Sequence, residues 1–182
     1  NISLLEDTVT EVILKAIDNY TSENLLVYSI LKQPTIGIID FSGNRVIYTP
    51  QLNYNGFDSF SFKVNDGNKD SNEAIVNITI TEKNDKPIAN NQVINLLEDE
   101  DKSIHLTGSD IESDTLSYSI KIGPNNGNIL QNGSIVTYTP DSNFSGVDSF
   151  TFVAIDEQGD ESFPATITLN VVEVNDTPLA KP

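Results

Sequence analysis

The chain has no cysteine and no methionine, a single histidine, and only 10 lysines and arginines against 27 aspartates and glutamates. Without cysteine, neither a disulfide framework nor a thiolate metal site can form. A small disulfide-free domain takes its stiffness from its apolar core or from a bound ion. With one histidine and no Gly-x-Ser-x-Gly, no nucleophilic triad can be assembled. His105 falls on the polar phase of Ile104-His105-Leu106, which reads as a wetted strand residue. No apolar run approaches the roughly 18 residues that a spanning helix needs, so no membrane insertion of this segment is expected. The net charge of −17 argues against nucleic acid, whose phosphates need lysine and arginine. A start at Asn1 and the lack of methionine lead us to expect an excerpt from a longer protein.

What is present is present twice. Leu4-Leu5-Glu6-Asp7 returns 92 residues later as Leu96-Leu97-Glu98-Asp99, and Tyr48-Thr49-Pro50 returns 90 later as Tyr138-Thr139-Pro140. Asp58-Ser59-Phe60 recurs as Asp148-Ser149-Phe150, and Glu82-Lys83-Asn84-Asp85-Lys86-Pro87 as Glu173-Val174-Asn175-Asp176-Thr177-Pro178. A near-constant offset is the mark of a tandem array. The 182 residues divide into copies at 1–87 and 88–182, each near the size of one immunoglobulin-like domain. Acids that recur with the repeat mark a site used each time, whereas scattered acids serve only solubility.

The hydropathy pattern is β throughout. Phe60, Phe62 and Val64 alternate with Ser59, Ser61 and Lys63, and Phe150, Phe152 and Ala154 follow suit. Val76, Ile78 and Ile80 match Ile167, Leu169 and Val171, and Leu116, Tyr118 and Ile120 alternate with serines and Lys121. Period two with one polar face describes a sheet wetted on one side. Asn132-Gly133 is a two-residue hairpin signal, and Pro50 and Pro140 end strands because neither can donate to a ladder. About seven strands per copy, with turns every 8–12 residues, predict an all-β chain of two tandem seven-stranded Greek-key sandwiches. Between them, Pro87 makes the connection short and directional, and no Gly or Ser loosens it, so an end-to-end arrangement is expected.

These residues resemble the cadherin-like tandem repeats of bacterial RTX-type surface adhesins, relatives of animal cadherins. Tyr138-Thr139-Pro140 and Asn143-Phe144-Ser145-Gly146-Val147-Asp148-Ser149-Phe150 look like the Y-T-P…N-F-x-G-x-D-S-F signature. Cadherins hold calcium between domains through an acid near the domain start, a D-x-D, a D-R-E, an A-x-D and a D-x-N-D-N linker. Glu82-Lys83-Asn84-Asp85 resembles that linker, with Glu for the first Asp, and Glu6 the acid near the start. Asp110-Ile111-Glu112 resembles the D-x-D and Ala154-Ile155-Asp156 the A-x-D, while Asp58 stands near a D-R-E that lacks its Arg and Glu. The resemblance implies Ca²⁺ held by Glu6, Asp58, Glu82, Asn84, Asp85, Asp110, Glu112 and Asp156. Calcium takes six to eight oxygens from carboxylates, carbonyls and Asn side chains, which suits this donor mixture. Without cations such acids repel, two unit charges 4 Å apart costing about 4 kcal/mol at an effective dielectric of 20. The bland alternative is a solvated acidic hinge.

The copies differ. The first has Asp18-Asn19-Tyr20 where the second has Asp110-Ile111-Glu112, with Glu23 as a substitute acid. Glu98, Asp148, Glu173, Asn175 and Asp176 form half a site at the far end. Paired acids could hydrolyse glycosides, but these cluster at module ends, and Tyr28, Tyr48, Tyr118 and Tyr138 share the apolar strand phase, leaving Tyr20 and Tyr54 as candidate exposed aromatics. An Asn175 glycan on the Asn175-Asp176-Thr177 triplet would occupy a calcium ligand, which favours a bacterial origin. The expectation is a non-enzymatic, calcium-rigidified extender of a secreted or surface adhesin, partnered by neighbouring repeats. The alternatives are a calcium-dependent module binding polysaccharide or another adhesin, and an accessory domain of a secreted polysaccharide-degrading enzyme.

Overall fold

The structure, a computed structural model, describes residues 1–22, 25–113 and 115–175. The chain separates into two units, Asn1–Lys83 and Asn84–Pro182. The sequence places the division after residue 87; here the connection from Asn84 to Pro87 belongs with the second unit.

The first unit contains β1 (Ile2–Leu5), β2 (Thr10–Ile13), β3 (Val27–Lys32), β4 (Ile38–Ser42), β5 (Arg45–Thr49), β6 (Gly56–Asn65) and β7 (Ala74–Thr81). They form one sheet in the order β1-β7-β6-β3 and a second in the order β2-β5-β4. The alternation read from the sequence supplies the facing surfaces. Phe60, Phe62 and Val64 of β6 and Val76, Ile78 and Ile80 of β7 meet Val12, Val46 and Tyr48 of the other sheet in one buried cluster. β1 runs parallel to β7, with Ile2 opposite Ile78, a pairing that periodicity alone does not foresee.

The second unit repeats this plan with β9 (Gln92–Leu97), β10 (Lys102–His105), β12 (Ser117–Ile122), β13 (Gly127–Asn132), β14 (Ile135–Pro140), β15 (Gly146–Ile155) and β16 (Ala165–Val172). The sheets are β12-β15-β16-β9 and β10-β14-β13, closed over a core that includes Tyr138, Phe150, Phe152, Ile167 and Leu169. Two additional strands of two residues each, β8 (Ile88–Ala89) and β11 (Gly108–Ser109), pair antiparallel with Ser109 opposite Ile88. They are too short to show periodicity. The approach is close: a Cβ on Gly108 would lie 2.6 Å from the Ile88 carbonyl oxygen.

The hairpin at residue 133 forms, shifted by one residue from the Asn132-Gly133 signal. Asn132 pairs with Ile135, so the loop is Gly133-Ser134, with Gly133 at φ 61°. Ser42 and Arg45 enclose Gly43-Asn44 in the same way, Gly43 at φ 62°. A positive φ at the first loop position only is the type II′ pattern, which places glycine there. His105 is exposed on β10, its Nε2 3.0 Å from the Ser134 hydroxyl, as expected of a wetted strand residue.

Candidate metal centre

The short β8/β11 pair determines what gathers at one end of the second unit. Continuing its antiparallel register beyond Ile88 and Ser109 brings Asp85 opposite Glu112, and the Asp85 N–H donates to Glu112 Oε2 at 3.4 Å. Asn84 lies one residue upstream. Its amide nitrogen donates to Asp156 Oδ2 and to Asp160 Oδ2, 3.0 Å each, on the loop that follows β15. Asn84, Asp85, Glu112 and Asp156 are thus brought together within the second unit. Asp110 stands two residues before Glu112, and its negative charge acts on the Glu112 carboxyl.

The electrostatics of this end are strained by acid. Burial, then the charges of Asp110 and Asp85, push the Glu112 carboxyl above its ordinary value, against the opposing pull of backbone N–H groups. Asp156 is buried, which would raise it, but the Asn84 amide and the N–H groups of Asp160, Gly159 and Gln158 outweigh that and hold it low. Two acceptor oxygens, Asn84 Oδ1 and Asp85 Oδ2, are shielded from solvent yet receive no hydrogen bond. Burying an unpaired acceptor costs about 1–3 kcal/mol. All the donor atoms are hard oxygens, and a hard cation would satisfy the two orphaned ones, so the residues fit calcium. Among the described residues, however, no three acidic or histidine side chains already converge as a metal-binding group.

The expected ligands of the first unit are placed as follows. Glu6 is 2 % exposed, and its Oε1 accepts the Lys83 N–H at 2.7 Å. Glu98 repeats this, 4 % exposed and accepting the Val174 N–H at 2.6 Å. Both pin the chain as it leaves the last strand of their unit. Glu82 is exposed and accepts from the Asn55 amide at 3.1 Å. Glu23 and Asp176 lie outside the described residues.

Asp58 belongs to a different arrangement from the expected ligand set. It sits on β6 inside the first unit, where its two oxygens accept the N–H groups of Thr35, Ile36, Gly37 and Ser59, the Thr35 hydroxyl, and the Tyr48 hydroxyl at 2.9 Å. Burial would raise this carboxyl; the N–H groups of Gly37, Thr35 and Ser59 and the Tyr48 hydroxyl prevail and bring it down to about 2. Burial and the neighbouring carboxylate push the Tyr48 hydroxyl up in turn. Asp148 and Tyr138 reproduce the pair at 3.1 Å, with the N–H groups of Asn125, Asn126 and Ser149. The recurring Tyr and Asp of the repeat signature are therefore a core tie that fixes a loop, and a carboxylate with this many donors has little left for a metal. The equal spacing of Tyr48 to Asp58 and Tyr138 to Asp148 was the available signal.

The aromatic expectations divide. Tyr28, Tyr48 and Tyr138 are buried and Tyr118 is half-buried, Tyr20 is 97 % exposed, and Tyr54 packs partly on the core. Phe57 and Phe163, 77 % and 90 % exposed, were not anticipated.

A family model described as bacterial Ig domain matches residues 1–79 and 84–170. The chain belongs to the bacterial Ig domain family. Comparison with curated protein sequences finds no match. Among solved structures, the pair of bacterial Ig units is similar to mouse cadherin-23 EC22-24, with 20 % identity and a TM-score of 0.59 over 96 % of this chain and 63 % of that one. Human mucin-like protocadherin EC1-2 gives 17 % identity and a TM-score of 0.52 over 94 % and 95 % of the two chains. At these identities the likeness establishes an immunoglobulin- and cadherin-like fold. An endo-fucoidan hydrolase of glycoside hydrolase family 107 aligns at 21 % identity over 96 % of this chain, with a TM-score of 0.38. The two bacterial Ig units span 28 % of that hydrolase's length. Among the described residues no helix is long and apolar enough to cross a membrane.

Proposed function

We propose that these bacterial Ig repeats are a non-enzymatic, calcium-binding spacer segment of a large secreted or surface-exposed adhesin. Asn84, Asp85, Asp110, Glu112 and Asp156 of the second unit would hold the ion, and the resemblance to cadherin repeats adds Glu6 and Glu82 of the first. The observation that carries the reading is the pair of solvent-shielded oxygens on Asn84 and Asp85 that no donor reaches, set among Asp110, Glu112 and Asp156. Bound calcium would supply positive charge among the carboxylates of Asp85, Asp110, Glu112 and Asp156 and the Asn84 amide. Because Asn84 and Asp85 directly follow the boundary at Lys83, an ion on them would act on the connection between the units.

Calorimetric titration of the 182-residue chain tests this. Uptake with dissociation constants of about 10⁻⁴–10⁻³ M, the range of extracellular modules, is the expected result. Absence of uptake at millimolar calcium would refute it. Small-angle scattering with calcium and with EDTA tests the spacer role: the spread of maximum dimension should narrow with calcium, and identical profiles would leave the acids without a mechanical part.

A further inference from the structure

The loops that follow β6 and β15 share a hydrogen-bond plan, but where the first ends it with Lys69 the second has Asp160, and the second also carries an additional acid, Glu157. In the first unit the Asp66 N–H donates to the Lys69 carbonyl at 3.2 Å, and the Lys69 N–H returns to Asp66 Oδ1 at 2.6 Å. In the second, the Asp156 N–H donates to the Asp160 carbonyl at 3.2 Å, and the Asp160 N–H returns to Asp156 Oδ1 at 2.7 Å. The second loop has one residue more, so Lys69 and Asp160 occupy the same structural position although the repeat offset pairs Asp160 with Asp70. The next residues confirm the register, since Asp70 bridges to Asn65 as Glu161 does to Ile155.

The consequence is electrostatic. Lys69 lines the same cleft as Asp18 and Asp66; the backbone N–H groups of Lys69 and Asn68 hold the Asp66 carboxyl low, and the Lys69 ammonium adds the smallest share. The first unit thus carries its own cation at this loop. In the second unit that position is a second carboxylate, and a neutral group, the Asn84 amide, bridges Asp156 and Asp160. On the neighbouring strand β12, Lys121 is engaged with Glu161 at 2.8 Å. Asn84 meanwhile keeps its oxygen shielded and without a donor. Rotation of an amide about Cβ–Cγ exchanges nitrogen and oxygen, so the side chain that bridges two carboxylates as a donor can join them as a third oxygen ligand.

We infer that Asp160 is a further calcium ligand of the second unit, acting with Asp156 and Asn84, and that Lys69 closes the corresponding position of the first unit to cations. This rests on the calcium reading above. It adds a residue outside the cadherin-like motifs and assigns the two loops opposite behaviour.

The test is calcium titration of the full chain as wild type, D160N and D160K, with thermal unfolding of each variant in EDTA to check folding. Calcium affinity is tuned by ligand charge count; D160N should therefore bind the ion at this loop about tenfold more weakly or lose it, and D160K should lose it. The Asn84 side-chain NH₂ resonances, identified by their absence in N84D, should shift on calcium addition in wild type and stay in place in D160K. In EDTA, D160N should unfold at or above the wild-type temperature, because it relieves repulsion by Asp156; a purely structural role would lower it. Wild-type binding with unchanged stoichiometry and affinity in both Asp160 variants would overturn the assignment of Asp160 and leave the calcium reading intact. No binding by wild type would overturn both.

Discussion

Asp58 illustrates how a residue's company decides its chemistry. Four backbone N–H groups and two hydroxyls converge on its two oxygens, all of them donors. An asparagine there has one acceptor and turns an NH₂ towards other N–H groups, so D58N should cost about 3 kcal/mol in urea denaturation at pH 7, in keeping with the strength of hydrogen bonds to charged groups. The carboxyl titrates near 2 in the fold and near 3.8 without it. A depressed value means that the stabilisation is complete above about pH 4 and is lost as pH falls towards 2, amounting to about 2 kcal/mol. The gap between wild type and D58N should narrow across that window, and a constant gap would remove the ionised tie from the account. The same residue marks the limit of reading the sequence. Its recurrence and acidity are visible there, but its partners come from loop 35–37 and from Tyr48 on another sheet, which no local pattern brings to it. Asn84, Asp85, Glu112 and Asp156 were legible because a contiguous linker motif and two short acidic motifs carry them. Asp160 belongs to none of these and emerges only when two loops of unequal length are superposed.

At the scale of elements, strand positions were legible and their pairings less so. Period two located β6, β7, β15 and β16 because each has one face in a core and one towards water. The parallel pairing of β9 with β16, Gln92 opposite Ile167, rests on contacts distant in sequence. Glycines at the hairpin edge explain part of the register. At Gly127 a Cβ would meet the Thr139 carbonyl oxygen at 2.6 Å and the Tyr138 ring at 2.6 Å, so the strand can lie against the Tyr138–Asp148 tie only without a side chain. Gly133 has open space around it and is constrained by its φ of 61° instead. G127A should therefore overpack the site and cost about 1–3 kcal/mol, whereas G133A should cost about 1 kcal/mol for a left-handed backbone alone. The two also differ in kind: G127A should shift the Tyr138 ring resonances and G133A should leave them in place. Equal perturbation of the ring by both would mean that the tie does not depend on close approach at β13.

For the molecule as a whole, the repeats are two copies of one fold whose ends have diverged in charge. Each unit has its own buried cluster, with aromatic and aliphatic side chains fully withdrawn from water, so neither core depends on an ion for its apolar contacts. Of the proposed calcium ligands, Asn84, Asp85, Asp110, Glu112, Asp156 and Asp160 fall in the second unit by the division at Lys83 and Asn84 and only Glu6 and Glu82 in the first, whose loop after β6 sets Lys69 beside Asp66. Calcium should therefore stabilise the units unequally. An ion that binds only the folded state contributes RT ln(1 + [L]/Kd), about 1.4 kcal/mol at tenfold excess over Kd and about 2.7 kcal/mol at hundredfold. For a domain near 100 residues, each kcal/mol moves the midpoint by roughly 4–8 °C. Scanning calorimetry of the full chain in EDTA and in 10 mM calcium should show one transition rising by roughly 6–20 °C and the other by much less. The D160K variant distinguishes the two, since it should remove most of the rise from the mobile transition and leave the other where it was. Two transitions that rise together by the same amount would mean that calcium acts on both copies alike, and the charge reversal between Lys69 and Asp160 would then have no bearing on where the ion binds.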